Sequence, residues 1–395
     1  MGVLLMTKLS NTLWFITILT TMNILYSGKT AAYEFSGLLQ SYFINTSASL
    51  AGQKSEEYQL YILNGRIDLF RPINQNWQLQ VADDISIVQQ PKVLVTQGAY
   101  QPIKTYRSFT QENLFASDDG TLAVTHNLDR FQLTYDSQSW RTVIGRQAIW
   151  FGVGQIANPT DVFLPLAYGQ INPEYRIGVD GVRITKSVGD LTEFEVGQVF
   201  GEDFAPEKDA QFLRAKSVVK SIDIETLLIR FLNANLVGFN LQTSLAGLGI
   251  FSESSWVNPD NEDPYLRYNI GATYMFESEW VINGEFHYNG IGEKEVVSYS
   301  NNLSKFAYTS GGVSYMAQRY LALGGSKAIT PLTTVKSNII ANLDDQSAMN
   351  IGELSYSFTD ATYVNLSWIQ TVSHQKSGEF YSYPRQLYLM MKYYF

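Results

Sequence analysis

The 395-residue chain has no cysteine, only three histidines and little charge. Without cysteine, neither a disulfide framework nor a thiolate metal site can form. The histidines, His126, His287 and His374, lie far apart in sequence, which argues against a histidine-based catalytic site. Charged residues make up 16% of the chain, below the ~25% usual for soluble globular proteins.

Other absences exclude further classes of function. The formal net charge is −9, so we expect no nucleic-acid binding, which needs cations to neutralise phosphates. The chain contains no GxSxG, HExxH or P-loop motif. Asp260, Glu262 and Asp263 lack the spacing and the glycine of a calcium-binding EF-hand loop. We therefore expect no enzymatic activity, no cofactor and no metal.

The N-terminus has the composition of a secretory signal. Lys8 gives a positive start, residues 13–25 are mostly apolar, and residues 30–32 offer small side chains for cleavage. The apolar run is short of the ~20 residues that a membrane helix needs, although an uncleaved helical anchor is the alternative. We predict a signal peptide over 1–32 and a mature chain over 33–395, in which no later segment is apolar enough for a membrane helix.

Apolar and polar residues alternate along nearly the whole mature chain. In 266–276, for example, Leu266, Tyr268 and Ile270 share one face of a strand, and Arg267 and Asn269 share the other. One apolar and one polar face per strand of ~10 residues is typical of a transmembrane barrel that has lipid outside and water inside. A soluble β-sandwich also alternates, so the lengths of the connections must discriminate between the two.

The connections alternate between short turns and long loops, as in barrels with short periplasmic turns and longer extracellular loops. The exception is 233–235, a short link where a long one is expected. We predict an all-β fold, a transmembrane antiparallel barrel of about 18 strands, with 16 as the alternative. The predicted strands are 34–45, 57–70, 76–89, 121–136, 140–151, 176–187, 190–201, 211–219, 222–232, 236–245, 248–258, 265–276, 280–290, 318–328, 331–342, 347–358, 361–372 and 385–395.

The chain ends in QLYLMMKYYF, with Leu389, Met391, Tyr393 and Phe395 on one face. An aromatic residue at the end of such a strand resembles the C-terminal assembly signal of Gram-negative outer-membrane barrels. This resemblance implies an outer-membrane location after signal-peptide cleavage, with membrane lipid, lipopolysaccharide and the barrel-assembly machinery as partners. Aromatic residues beside the short turns suggest a periplasmic girdle; the β-propensity of aromatic residues is the alternative explanation.

The segment 128–183 contains the runs LDR, GRQAIWFGVG, NPTDVFLP and RIGVDGVR. It is similar to segments of porin-like outer-membrane families, including relatives of the alginate-export barrels, in which a G-R-Q strand leads into a glycine-containing loop with N-P-x-D. The resemblance implies a channel, but it does not identify a substrate.

The link 152–175 is unusually long for a hairpin connection, and such loops are commonly functional. Glycines let the chain leave its strand and prolines prevent it from joining a sheet ladder, so we expect this loop to fold inward and narrow the pore. Its motif residues are Gly152, Gly154, Asn158, Pro159, Asp161 and Pro165. Six charged side chains are expected to create a transverse field across the lumen: Arg130, Arg146, Asp161, Arg176, Asp180 and Arg183. In the alternative, these charges pair with one another and only fix the loop.

We therefore predict a porin-like channel for passive passage of small hydrophilic solutes. One alternative is a dedicated conduit for polysaccharide or a specific solute. A barrel-embedded enzyme, or a closed structural or adhesion barrel, is an alternative of another class. The oligomeric state is left open.

Overall fold

The computed structural model describes residues 33–48, 56–96, 106–108, 112–163, 175–373, 378–381 and 383–395. The predicted signal peptide, Pro165 and His374 lie outside these residues.

Nineteen antiparallel strands form one sheet in the described part of the chain. They are β1 (Glu34–Ala48), β2 (Glu56–Pro72), β3 (Trp77–Gln89), β4 (Glu112–Ala116), β5 (Leu122–Asp136), β6 (Trp140–Gln147), β7 (Val179–Val188), β8 (Thr192–Val199), β9 (Ala210–Val219), β10 (Ile222–Phe231), β11 (Ala234–Leu245), β12 (Leu248–Pro259), β13 (Tyr265–Met275), β14 (Val281–Asn289), β15 (Arg319–Thr330), β16 (Thr333–Asn342), β17 (Ser347–Thr359), β18 (Thr362–Ser373) and β19 (Gln386–Tyr394).

The sheet closes on itself because β1 pairs with both β2 and β19. Strand β4 is short and lies in the connection after β3, where it pairs with β5. The other eighteen strands form the wall of a closed antiparallel barrel, so the predicted fold class and its larger strand number are confirmed. The short link 233–235 is real, since β10 and β11 pair up to Phe231 and Ala234.

Three details of the strand prediction are wrong. The strand predicted over 140–151 ends at Gln147, and the one predicted from 176 begins at Val179. The chain leaves the wall early because Ile149 and Phe151 turn into an apolar cluster inside the barrel. Strand β4 was missed, since five residues are too few to show a clear alternation.

The remaining regular structure consists of single helical turns in the connections. These are Lys92–Thr96, Glu202–Phe204, Pro206–Lys208, Val296–Ser298, Tyr299–Asn302, Phe306–Thr309 and Glu379–Tyr381. Among the described residues, no helix has the length and apolar character needed to cross a membrane.

The wall carries apolar side chains on its outer face and many polar ones on its inner face, which is the reverse of a soluble protein. On β13, Leu266 and Ile270 point outward and are exposed, whereas Arg267 and Asn269 point inward and are buried. On β19, the outward residues are again the apolar ones, with Leu389 exposed on the strand's outer face. An apolar exterior around a polar interior is the arrangement of a barrel surrounded by lipid.

Two apolar clusters lie inside the barrel, and both contain residues that follow β6. In the first cluster, Phe151 and Phe163 pack against Phe212 of β9, with ring centroids 5.1 and 6.1 Å away. In the second, Ile156 and Ala157 pack with residues of β15 to β19, of β1 to β3 and of the connection before β15. The segment after β6 therefore contacts the inner wall on two sides.

Candidate pore constriction

The segment 152–163 runs from the end of β6 into the interior, and its start requires glycine. Gly152 has φ +97°, and an added Cβ would lie 2.6 Å from the Glu253 carboxylate. A Cβ on Gly154 would lie 2.0 Å from the carbonyl oxygen of Ala157. Only glycine allows both the positive φ and this close approach of backbone to its neighbours.

Glu253 of β12 holds the segment through backbone amides. Its Oε2 accepts hydrogen bonds from the N–H groups of Val153 and Gly154, at 2.8 and 2.9 Å. Its Oε1 accepts from both the N–H and the Oγ1 of Thr160, each at 2.7 Å. The Glu253 side chain is completely buried. Its two bonds to Thr160 are buried as well, and those to Val153 and Gly154 are partly buried.

A second carboxylate, Glu285 of β14, binds the next residues of the segment. Its Oε2 accepts from the N–H of Gln155 at 2.6 Å and from that of Ile156 at 3.3 Å. Between the two glutamates, β13 supplies Arg267, whose Nη2 donates to the carbonyl of Asn158 at 3.2 Å. Five wall strands, β7 to β11, separate β6 from β12, so the segment crosses the lumen to reach β12–β14.

Asp161 and Arg176 join the two ends of the connection. Arg176 Nη1 donates to Asp161 Oδ2 at 2.9 Å, and Asp161 Oδ1 accepts from the N–H of Phe163 at 3.0 Å. The Nδ2 of Asn158 donates to the carbonyl of Phe151 at 3.2 Å. Pro159 is buried beside them. These contacts give the described part of the loop a defined shape.

Asp129 of β5 is the centre of an ion-pair network at the base of this loop. Its carboxylate binds Arg66 at 2.8 Å, Arg130 at 2.6 Å and Arg107 at 3.2 Å. It also accepts from the N–H of Gly178 at 2.9 Å, just before β7. The network therefore fixes the end of the connection to the wall.

Arg146 of β6 pairs with Asp180 of β7. The guanidinium donates two bonds, of 2.7 Å from Nε to Oδ1 and 2.8 Å from Nη2 to Oδ2, the bidentate geometry that makes arginine–carboxylate pairs strong. Asp180 Oδ2 also accepts from the N–H of Ser108 at 2.8 Å. This contact brings the connection after β3 into the same site.

A separate charged cluster lines the wall from β7 to β10. Arg183 Nε donates to Gln147 Oε1 at 2.8 Å and its Nη1 lies 3.4 Å from Glu195. Glu195 binds Arg214 at 3.0 Å, and Arg214 binds Glu225 at 2.6 Å. The side chains of Arg183 and Arg214 are 29% and 22% exposed, so this cluster is open to water in the lumen.

The six charged residues predicted for the constriction thus fall into three groups. Arg130, Arg146 and Asp180 belong to the network at the base of the loop, Asp161 pairs with Arg176, and Arg183 lies apart with Glu195. Each of them has a polar or oppositely charged partner in the structure. Pro165, the last predicted motif residue, lies outside the described part of the chain.

Sequence reasoning missed several members of the site. They are inward-facing residues of predicted strands or of another connection: Arg66, Asp84, Arg107, Asp129, Glu195, Glu253, Arg267 and Glu285. The polar-face positions of most of them were readable from the alternation, but Arg107 lies in a connection, and Asp129 turns inward only because β5 has a bulge there. Alternation also does not show which inward charge meets which.

A closed antiparallel barrel with an apolar exterior, charged and polar groups on its inner wall and a connection folded into the lumen defines the class of transmembrane β-barrels. No protein-family model matches the chain, and no curated protein matches its sequence. The likeness is found among solved structures of this class.

Three of the solved structures that are similar in fold have coverage above nine-tenths for both chains. A BenF-like porin from Pseudomonas fluorescens Pf-5 has a TM-score of 0.59 at 10% identity, with 92% of this chain and 98% of that chain covered. OccK8 (OprE) of Pseudomonas aeruginosa has a TM-score of 0.58 at 9% identity, with 92% and 98% covered. OccK2 (OpdF) of Pseudomonas aeruginosa, solved in complex with glucuronate, has a TM-score of 0.56 at 10% identity, with 92% and 97% covered. At these identities the similarity concerns the fold.

Proposed function

We propose that this protein is a passive channel of the Gram-negative outer membrane for small hydrophilic solutes, with the segment 152–175 as its constriction. The observation that carries the proposal is the crossing of the polar lumen by residues 152–163, which are bound on the far wall by Glu253 and Glu285. An 18-strand barrel is wide enough for an aqueous pathway. A segment across it sets the diameter that solutes meet.

Charge would contribute to selectivity from two sides of the lumen. Asp68 and Asp84, near Arg66, have side chains 20% and 27% exposed. The exposed guanidinium groups of Arg183 and Arg214 lie on the side of β7 to β9. Each group is paired within its own cluster, and we propose that the water-accessible carboxylates on one side and guanidinium groups on the other bias which ions and solutes pass.

A second candidate function is uptake of a specific small solute. Arg183 and Arg214 present water-accessible guanidinium groups, whose planar fork suits carboxylates, and the similar OccK2 was solved with glucuronate, a sugar acid. Competition of a small sugar acid with ion current would separate this candidate from a general pore. We propose no enzymatic activity, in line with the channel proteins that share the fold.

The C-terminal strand supports an outer-membrane location. Tyr393 and Phe395 are about half exposed on the outer face, with ring centroids 6.1 Å apart. The N–H of Phe395 donates to the carbonyl of Gly37 at 3.1 Å, which helps to close the barrel. We propose that these two rings form the signal for the barrel-assembly machinery and contact membrane lipid and lipopolysaccharide.

The decisive experiment is single-channel recording of the purified protein in planar lipid bilayers. Stepwise currents are expected from the wild type, and their absence would refute a channel. Arg146→Ala should change conductance or ion selectivity because it leaves Asp180 without its bidentate partner. Arg141→Ala removes the same charge at an exposed position, where Asp136 is 3.9 Å away, and should change little. If Arg146→Ala behaves like Arg141→Ala, the constriction lies elsewhere.

A further inference from the structure

A cleft opens at the end of the barrel that is assigned to the periplasm, between the short turns 73–76 and 137–139. Its volume is about 500 Å³, within the range of about 300–1,000 Å³ that small-molecule sites occupy. Its lining contains five side-chain amides, those of Asn74, Gln75, Asn76, Gln78 and Gln138. None of these residues belongs to the constriction, so the cleft is a separate feature of the lumen.

The cleft lies on the inner side of the wall. Pro72 of β2 follows Arg66 at even spacing, and Arg66 is buried inside the barrel. Gln78 of β3 is the ladder partner of Pro72 and therefore shares its face. One step further up the ladder, Gln132 Nε2 donates to Gln80 Oε1 at 3.1 Å. A solute that moves down the lumen along β2, β3 and β5 therefore meets amide groups before it reaches the cleft.

Hydrogen bonds between the two turns hold the cleft in shape. Asn76 Nδ2 donates to the carbonyl of Asp136 at 2.7 Å, and the N–H of Asp136 donates to the carbonyl of Asn76 at 2.8 Å. Asn74 Oδ1 accepts from the N–H groups of Asn76 and Trp77, at 2.9 and 3.0 Å. A site that is already formed avoids much of the ordering cost of binding.

The three glutamines of the cleft leave their amides available for a ligand. Among the residues that the structure describes, Gln75, Gln78 and Gln138 have no side-chain hydrogen bond. Gln75 and Gln138 are exposed, and Gln78 is half-buried. Each amide carries two donor hydrogens and an acceptor oxygen. Donors and acceptors side by side suit a row of hydroxyl groups, because each hydroxyl also donates and accepts.

We infer that this cleft binds a neutral sugar ring at the exit of the channel. The inference rests on the proposed channel function and deepens it, because it names a class of solute. Phe70 and Pro72 supply apolar surface beside the amides, and the negative face of an aromatic ring attracts the C–H groups of a sugar ring. The carboxylate of Asp136 accepts from hydroxyl groups and repels anions. No lining residue is cationic, which disfavours an anionic ligand further.

The test is a titration of the purified protein in lipid nanodiscs with glucose, followed by saturation-transfer NMR. Gln78→Leu removes one amide at nearly constant size. Gln242→Leu is the matched control, since Gln242 is also a half-buried glutamine of the inner face, but lies on β11 outside the cleft. Co-sedimentation with isolated cell-wall sacculi is measured for the same proteins, because the glycan strands of the wall carry the same sugar chemistry as a free solute.

The wild type should bind glucose, and Gln78→Leu should weaken the binding about fivefold, the factor that one lost hydrogen bond represents. Phe70→Leu, which keeps apolar bulk but removes the ring, should weaken it about threefold, and Gln242→Leu should bind as the wild type does. Gln138→Ala, in an exposed turn, decides the matter if Gln78→Leu does not fold. Sacculi that sediment with the wild type but not with Gln78→Leu would identify the wall as the source of the sugar. Sacculi that bind neither would identify a solute in transit, and either result supports a sugar site.

Absence of saturation transfer from the wild type, or equal affinities of the wild type, Gln78→Leu and Gln138→Ala, would overturn the inference. An equal loss in Gln242→Leu would also overturn it, since the effect would then not come from the cleft. Tighter binding of N-acetylglycinamide than of glucose would assign the cleft to peptides instead. A protein without current steps would refute the channel, while the NMR titration would still decide whether the cleft binds a sugar.

Discussion

Asp129→Asn is the substitution with the largest expected effect on stability. Asp129 binds Arg66, Arg107 and Arg130, and its side chain is 2% exposed, while those of the arginines are 6%, 6% and 10% exposed. Asparagine has nearly the same shape but no charge, and its NH₂ group would face guanidinium donors. Three buried cations would thus lose their shared anion.

Removing one partner of a buried ion pair costs about 3–5 kcal/mol, because the remaining charge is left uncompensated. Arg66 retains Asp68 and Asp84, which limits its loss, but the bond to the N–H of Gly178 also weakens. We therefore expect Asp129→Asn to lower the free energy of unfolding by about 3–5 kcal/mol. The net charge of the lumen rises by one, so the channel should also become more selective for anions.

Urea-induced unfolding in lipid vesicles measures the first effect, and the reversal potential in a salt gradient measures the second. Asp136→Asn is the matched control: its distance to Arg141 is 3.9 Å and the two side chains are 50% and 53% exposed. Such a surface pair should contribute at most about 1 kcal/mol. If the two variants unfold at the same urea concentration, the ion-pair network around Asp129 does not stabilise the barrel.

Three further substitutions test other parts of the structure. Leu389→Arg places a charge on the outer face and should destabilise the barrel by about 2–4 kcal/mol in vesicles. Gln242→Arg, on the inner face of β11, is its control and should be tolerated. Equal unfolding midpoints for the two variants would contradict the assignment of the faces. Glu195→Gln removes the carboxylate that Arg183 and Arg214 share, so it should raise the chloride-to-potassium permeability ratio in bilayers. An unchanged ratio would contradict this expectation. Burial raises the pKa of Glu379 from 4.5 to about 7. The contribution of Glu379 to stability is therefore complete below about pH 4.5 and declines by roughly 3 kcal/mol as the pH rises to about 7. Proteolysis of the segment 378–381 should accelerate over that range, and Glu379→Gln should abolish the pH dependence.

The wall of the barrel was predictable because its pattern is local. Leu266 and Ile270 share a face, Arg267 and Asn269 share the other, and the same alternation recurs in all eighteen wall strands. Each strand carries this information in its own residues, since side chains two positions apart point the same way. The order of short and long connections then favoured an even strand number, 18 with 16 as the alternative, and the pairing of β1 with β19 shows the closure.

The constriction was predictable only in part. The glycines and prolines of 152–175 showed that this connection does not continue the sheet, and its unusual length marked it as functional. The partners of the segment were not predictable, because Glu253 lies 99 residues beyond Gly154 and Glu285 lies 130 residues beyond Gln155. Their place opposite Gly154 and Gln155 depends on the curvature of the closed wall.

The amino-acid sequence alone predicted most of the strands, the lipid-facing and inward-facing sides of strands such as β13, and the connection that leaves the wall, since all of these follow from residues close together in the chain. The folded barrel specified the ion-pair partners of Asp129, the early end of β6 at Gln147 and the carboxylates that hold the inward segment. Such contacts join residues from distant strands, and they exist only after the sheet has closed and set the distances across its lumen.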